Sequence, residues 1–146
     1  MKRLEPNIRT FLLDTNVFIS AIKEPKRQTG TLKLIIKIIS EPSVTIVGNY
    51  LLAYELFRYA EVLKSETATT LLAALLSKME VIEVSKNYRK ICSRYIKTPD
   101  KADILHAATC LQTGAILITN DRHFDKIGDE GVIEVWNVSK AIRQLI

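Results

Sequence analysis

The chain has 146 residues, of which 47% are hydrophobic and 25% are charged, with only five glycines and four prolines. This length and balance fit one globular domain with its own core, and they exclude a disordered or loop-rich protein. The net charge of +5 and a pI near 9.2 are compatible with a polyanionic partner, but basic charge alone does not identify a nucleic-acid-binding protein.

Short segments exclude further classes of protein. Cys92 and Cys110 lie in apparently helical segments without a CxxC or Cys/His pattern, so we expect two reduced, partly buried thiols. The basic N-terminus contains Glu5 and Pro6 and leads into an apolar run too short for a signal peptide. No apolar stretch approaches the length of a membrane span. We therefore expect a cytoplasmic protein that makes no use of a membrane.

Apolar runs rich in β-branched residues alternate with helical patterns along the chain. These runs predict strands at 10–13, 44–47, 80–84, 115–119 and 132–136. The helical patterns lie between and after them, at 15–22, 29–40, 49–63, 66–78, 86–97, 101–113 and 138–145. Pro99 and Gly114 are placed to end the helices at 97 and 113.

The predicted strands indicate how the sheet is built. Three of them are apolar almost throughout, which is typical of a parallel sheet with helices on both faces. Strands alternating with helices predict an α/β fold. Since we find no repeat, low-complexity tract or linker, we expect residues 1–146 to form a single domain.

Two acids follow predicted strands directly. "FLLDTN" ends on Asp14 and "LITND" ends on Asp121. The carboxyl ends of parallel strands meet at one edge of a sheet, which is where sites form in open α/β sheets. Each acid also has a structural alternative, because Asp14 could cap the next helix and Asp121 could serve a turn or cap with Asn120.

A third acid, Glu55, lies on an apolar helical stripe. The other members of the stripe are Leu51, Leu52, Tyr59 and Val62. A carboxylate in such a position costs several kcal/mol unless its charge is compensated. A buried salt bridge with Arg58 is the structural alternative to a functional role.

A fourth acid, Asp103, begins the helix "KADILHAATCLQTG". An acid near a helix N-terminus is favourable in its own right, so a capping role is one alternative. Ala107 and Cys110 share its face and are small, which leaves room beside the carboxylate. We expect His106, three residues on, to be a packed or hydrogen-bonded side chain rather than a ligand.

Four carboxylates at one edge of a sheet would repel each other without cations. Oxygen ligands without supporting Cys or His suit Mg²⁺ or Mn²⁺ better than zinc. Two such ions can activate a water molecule and stabilise the leaving oxygen of a phosphodiester.

Together with these acids, four motifs of the sequence resemble those of a known family, the PIN-domain nucleases. "LLDTNVFISA" resembles the first motif of the family, and "YELFRYA" resembles its helix carrying the second acid. "ADILHAATCLQTGAILITNDRHF" resembles the third and fourth motifs together, and "VIEVW" resembles the closing strand. The motifs occur in the order of the family and cover nearly the whole chain.

The resemblance implies a three-layer α/β/α fold around a short, mainly parallel sheet, and RNA cleavage that depends on Mg²⁺ or Mn²⁺. The acids of the family carry over to four positions, Asp14, Glu55, Asp103 and Asp121. Thr119 matches the hydroxyl beside the fourth acid, which helps to orient the first Asp and its metal.

At this length the chain is similar to the toxins of VapBC-type toxin–antitoxin systems, which implies a homodimer and an antitoxin partner. A role in RNA processing remains open, as does a non-catalytic RNA- or protein-binding module with the same fold. A receiver domain, another α/β fold, has paired acids after its first strand, a phosphorylatable Asp after a middle strand and a Lys at the end of a late strand. This chain has Asp14 alone after its first strand, and Gly48 and Asn49 follow its second strand, so it does not match a receiver domain.

Basic residues predict where RNA binds. Lys86, Lys90, Arg94 and Lys97 advance by four, four and three, so they would form one stripe on the helix predicted at 86–97. This stripe is either a surface that follows phosphates or a solvated helix face. Further candidates are Arg122 beside Asp121, and a group after the first helix made of Lys23, Lys26 and Arg27.

Overall fold

The structure, a computed structural model, describes residues 9–23, 29–97 and 100–146, and its centre is a five-stranded sheet. The strands are β1 (Arg9–Leu13), β2 (Val44–Gly48), β3 (Met79–Val81), β4 (Ile116–Ile118) and β5 (Glu134–Trp136). The described α-helices are α1 (Thr15–Ile22), α2 (Gly30–Ser40), α3 (Tyr50–Leu63), α4 (Glu66–Lys78), α5 (Lys86–Ser93), α6 (Lys101–Thr113), α7 (Asp125–Asp129) and α8 (Val138–Leu145). The predicted three-layer α/β/α fold is confirmed.

All strand pairs in the sheet are parallel, and the strand order is β3-β2-β1-β4-β5. The middle strand β1 pairs with β2 on one side and with β4 on the other. Its residues Phe11, Leu12 and Leu13 are fully buried, which explains why this strand shows no apolar–polar alternation. The register pairs Leu13 with Ile118, so β1 and β4 end side by side.

Some predicted boundaries were wrong. The strand predicted at 80–84 is β3, which begins at Met79 and ends at Val81. The helix predicted at 86–97 ends at Ser93, because the backbone N–H groups of Tyr95 and Ile96 both turn back to the carbonyl of Cys92. This turn buries Ile96 against the core. Pro99, the expected stop signal, lies outside the described residues.

Two short elements after β4 were not predicted. A 3-10 turn spans Arg122–Phe124, and α7 follows it directly. Their single turns are too short to show a helical period, but they bury Phe124 and Ile127. Gly114, by contrast, was predicted correctly as the residue that ends α6, since it adopts the left-handed conformation with a φ of 74°.

The core is apolar and includes both cysteines. Cys92 and Cys110 are free, as predicted, but they are fully buried rather than partly buried. Burial raises the pKa of the Cys92 thiol to about 11, so it is not a thiolate at neutral pH. Within the described residues, none of the helices combines the length and the apolar character that a membrane span needs.

Candidate active site

The ends of β1 and β4 bring Asp14 and Asp121 to the same edge of the sheet. The register that pairs Leu13 with Ile118 sets Asp14 opposite Thr119, and the Thr119 hydroxyl donates a hydrogen bond of 2.7 Å to Asp14 Oδ2. The same hydroxyl accepts a hydrogen bond of 3.0 Å from the backbone N–H of Asp121. Thr119 therefore fixes the Asp14 carboxylate and the start of the Asp121 loop together.

The capping role considered for Asp14 is not observed, whereas the turn role considered for Asp121 is. Asp14 occupies the N-cap position of α1, but its side chain makes no capping hydrogen bond. The Asp121 carboxylate does accept from the backbone N–H of His123 at 2.9 Å, so it serves the following turn and also faces the cleft. A local role for Asp121 thus coexists with its place at the site.

Glu55 is held at the site by α1 rather than by a salt bridge. The hydroxyl of Thr15, which is buried at the start of α1, donates to Glu55 Oε2 at 2.9 Å. The alternative ion pair with Arg58 is not formed between these two described residues. The buried face of α3 is also different from the predicted stripe, since it consists of Leu52, Leu56 and Ala60. Glu55 borders this face and is half-buried.

Asp103 lies in the first turn of α6, but the cap of this helix is Asp100, whose Oδ1 accepts from the Ala102 N–H at 2.9 Å. The Asp103 carboxylate instead contacts the imidazole of His123, whose Nδ1 lies 2.9 Å from Asp103 Oδ2. The same ring nitrogen is 3.3 Å from Asp121 Oδ1. A capping role therefore does not explain Asp103. His123 links the acid on α6 to the acid that follows β4.

All four predicted acids line one cleft of about 510 Å³. Its other lining residues include Thr15, Asn16, Asp100, His106 and His123 on the polar side, and Tyr54, Arg58, Tyr59 and Val62 from α3. The topology thus brings together residues from α1, α3, α6 and the loop after β4, which are far apart in the sequence. Asp125, a neighbouring acid in the sequence, lies outside this cleft.

The electrostatics of the cleft disfavour negative charge. Burial raises the pKa of the Asp14 carboxyl, and the nearby charge of Asp121 raises it further, although the bond from Thr119 acts in the opposite direction. Burial also raises the pKa of Glu55, and it raises that of Asp103 to about 6. Each of these carboxylates is less stable in the fold than in water.

Such a set of donors fits a hard divalent cation. Asp103, Asp121 and His123 each offer a ligand atom, and these atoms lie within 4.8 Å of one another. Asp14 and Glu55 add two carboxylates to the same cleft. Oxygen donors with a single imidazole suit Mg²⁺ or Mn²⁺, and a bound cation would offset the burial and the like-charge repulsion that raise the pKa values.

His106 lies at the back of the cleft in a buried polar network, as expected for a hydrogen-bonded side chain. The Asn49 side chain is fully buried and caps α3, since its Oδ1 accepts from the Leu52 N–H at 2.9 Å. Its Nδ2 donates to His106 Nδ1 at 3.1 Å and to Thr109 Oγ1 at 3.0 Å. The amide orientation makes Nδ1 the acceptor, so the proton of the neutral ring is on Nε2.

The predicted RNA-binding residues that the structure describes all lie on the surface. Lys86 and Lys90 are exposed on α5, whereas Arg94 and Lys97 are exposed beyond its last residue, so the four do not form one helical stripe. Arg122 is exposed in the 3-10 turn next to Asp121. Lys23 is exposed after α1, and Lys26 and Arg27 lie outside the described residues.

Two residues of the site were missed from the sequence. His123 follows Asp121 by two residues, and this closeness to an acid at a strand end could have indicated that His123 belongs to the site. Thr15 follows Asp14 directly, but its bond is to Glu55, which is 40 residues away, so no local pattern could have shown it.

Comparisons with known proteins agree with this architecture. The model of the PIN domain family matches residues 11–130. No curated protein matches the sequence. The crystal structure of VapBC2 from Rickettsia felis, bound to a DNA fragment from their promoter, contains a similar chain with a TM-score of 0.62 and 20% identity, covering 88% of this chain and 98% of that one.

Two other solved structures are similar to the same extent. VapBC-1 from nontypeable Haemophilus influenzae has a chain with a TM-score of 0.61 and 21% identity, covering 90% of this chain and 99% of that one. PAE2754 from Pyrobaculum aerophilum has a TM-score of 0.58 and 18% identity, covering 94% and 96% of the two chains. At these identities the likeness shows the fold alone.

Proposed function

Because this chain belongs to the PIN domain family, a family of nucleases, we propose that it is a metal-dependent endoribonuclease that cleaves RNA phosphodiester bonds in the acidic cleft. The observation that carries the proposal is the convergence of Asp14, Glu55, Asp103 and Asp121 on that one cleft. A non-catalytic RNA- or protein-binding module has no need to hold Asp14, Glu55 and Asp103 where burial opposes their ionisation.

The cofactor in this proposal is Mg²⁺ or Mn²⁺, held by the four acids, with His123 beside two of them. Bound there, such an ion would help to activate a water molecule and would neutralise charge on the phosphate and the leaving oxygen. Thr119 and Thr15 are positioning residues, because their hydroxyls hold the Asp14 and Glu55 carboxylates at 2.7 and 2.9 Å. Burial of Phe11, Leu12 and Leu13 anchors the strand before Asp14 in the core.

The first test is the requirement for a cation. Purified protein is incubated with single-stranded RNA in Mg²⁺, Mn²⁺ or EDTA, and cleavage products are followed over time. We expect cleavage in Mg²⁺ or Mn²⁺ and none in EDTA. Asp14→Asn should abolish cleavage, whereas Asp125→Asn should leave it unchanged, because Asp125 is exposed and lies outside the cleft. Undiminished cleavage in EDTA, or by the Asp14 variant, would contradict the proposal.

We also propose a biological setting for the activity. The similar chains in the VapBC structures come from toxin–antitoxin pairs, and this supports a toxin that is silenced by an antitoxin. The homodimer in this proposal rests only on the resemblance of the sequence to such toxins. RNA processing is the other setting open to such a nuclease. The neighbouring gene distinguishes them, since a toxin predicts a small adjacent frame that encodes a DNA-binding antitoxin.

A further inference from the structure

Helix α3 exposes large apolar side chains beside the charged cleft. Tyr54 and Tyr59 line this cleft and are 61% and 42% exposed, and Val62 on the same wall is 70% exposed. None of the three is needed to cover the core, which α3 contacts through Leu52, Leu56 and Ala60. Rings that are left exposed at the wall of a cleft are available to whatever enters it.

The wall has a defined order of side chains. At 100° per residue, helical periodicity places Arg58 and Val62 between the two tyrosines, and it places Glu55 next to Tyr59. The Glu55 carboxylate is anchored to Thr15, so this end of the wall adjoins the acids at the edge of the sheet. Two rings and a guanidinium therefore stand beside the residues that we assign to the phosphate chemistry.

We propose that Tyr54 and Tyr59, together with Arg58, form a subsite that stacks the base of an unpaired nucleotide next to the cleaved phosphate. This inference rests on the proposed function and adds the feature of RNA that the site selects. Nucleobases stack on aromatic rings and on guanidinium planes, and they do so with little dependence on sequence. The faces of bases within a duplex are covered by their neighbours, so the subsite selects single-stranded RNA and loops.

The occupant is a nucleobase rather than an apolar protein surface for three reasons. The wall is continuous with the cleft that takes the phosphate, so a nucleotide placed there delivers its base to the neighbouring rings. Arg58 adds a positive charge to the wall, which complements the RNA backbone. The cleft volume of about 510 Å³ is also within the range of sites for small ligands.

The test measures binding separately from cleavage. The cleavage position of a short single-stranded RNA is first mapped with the wild-type protein in Mg²⁺. The affinity for this RNA is then measured in the Asp14→Asn background with Mg²⁺ present. Tyr54→Leu should weaken binding by about 5- to 150-fold, the range for removal of one base–aromatic stack, whereas Tyr54→Trp should not. Tyr59→Leu should act in the same direction as Tyr54→Leu.

Phe57→Leu and Tyr50→Leu are matched controls, because both rings are exposed on α3 but do not line the cleft. They should change the affinity by less than about twofold, well below the effect of removing a stack. Removing one base of the RNA at a time should weaken binding to the Asp14→Asn protein most at a position adjacent to the cleaved bond. For the RNA that lacks this base, Tyr54→Leu should not weaken binding beyond the loss already caused by removing the base. A merely structural effect of the variant would weaken the binding of both RNAs.

Several results would overturn the inference. Equally weakened binding by Tyr54→Leu and Phe57→Leu would indicate a general effect on α3, and a dimer that dissociates in both variants would make this face a protein contact. Cleavage that does not depend on any neighbouring base would contradict the proposed subsite but not the proposed nuclease activity. If the Asp14→Asn protein binds no RNA and the wild type cleaves none, the proposed function fails together with the subsite.

Discussion

The two histidines of the chain have opposite environments. His106 is 2% exposed and accepts from Asn49, and burial lowers its pKa to about 4. His123 is exposed, and its hydrogen bond to Asp103 and the charge of Asp121 raise its pKa. The charge of Asp100, at the start of α6, favours the protonated form of both rings. The two rings therefore respond differently when the pH falls.

For His106 we predict a decrease of stability in acid. The unfolded chain binds a proton near pH 6.5 and the folded protein does not until about pH 4, so stability falls as the pH decreases through this window, by up to about 3 kcal/mol. His106→Asn keeps an acceptor for Asn49 but cannot be protonated. In urea unfolding between pH 7 and pH 4.5 in EDTA, its stability should fall less than that of the wild type.

His123→Asn is the matched control for this experiment. The raised pKa of His123 gives stability that is present below its unfolded pKa and disappears as the pH rises. Its removal should therefore steepen the decrease of stability in acid rather than flatten it. Equal flattening by both variants would show that His106 is not the group responsible.

The strands and helices differ in how well the sequence predicted their contribution to the site. Asp14 and Asp121 were placed correctly because a strand ending on an acid is a local pattern, and parallel strands end at one edge. The face of α3 was placed incorrectly, since Leu51, Tyr59 and Val62 fit an apolar stripe but only the tertiary packing decides which apolar stripe is covered. Bonds such as Thr15–Glu55 join distant segments and have no local signal.

At the same scale, the exposed basic residues around α5 lie next to the helix that carries Asp103, because α5 packs against α6. If they follow the RNA backbone, replacing Lys90, Arg94 and Lys97 by Ala should weaken RNA binding. The slope of log affinity against log salt should flatten by up to about 0.7 for each phosphate that the variant no longer neutralises. Titrations at several salt concentrations measure this slope.

The control replaces the same number of charges elsewhere. Lys33, Lys37 and Lys126 are exposed on α2 and α7, and their replacement by Ala lowers the net charge equally. If both triple variants have the same slope, only net charge matters. A slope unchanged from the wild type in the first variant would mean that the residues around α5 form a solvated face.

For the whole molecule, the acidic cleft links metal binding to the stability of the fold. The fold holds Asp103, Asp14 and Glu55 where burial opposes their ionisation, so the metal-free protein at neutral pH is less stable than its core alone would make it. A ligand that binds only the folded state raises its stability by mass action. If the cleft binds the proposed cation, that cation should therefore stabilise the folded protein.

Asp103→Asn tests this link directly, because it removes one charge with little change in shape. In EDTA at neutral pH its unfolding free energy should be unchanged or higher by about 1 kcal/mol, since removing a buried charge and its repulsion offsets the weaker bond to His123. Added Mg²⁺ should raise the melting temperature of the wild type more than that of the variant. Asp125→Asn, outside the cleft, should respond to Mg²⁺ like the wild type. If Asp103→Asn instead melts lower in EDTA and gains as much from Mg²⁺ as the wild type, Asp103 contributes to the fold and not to the metal site.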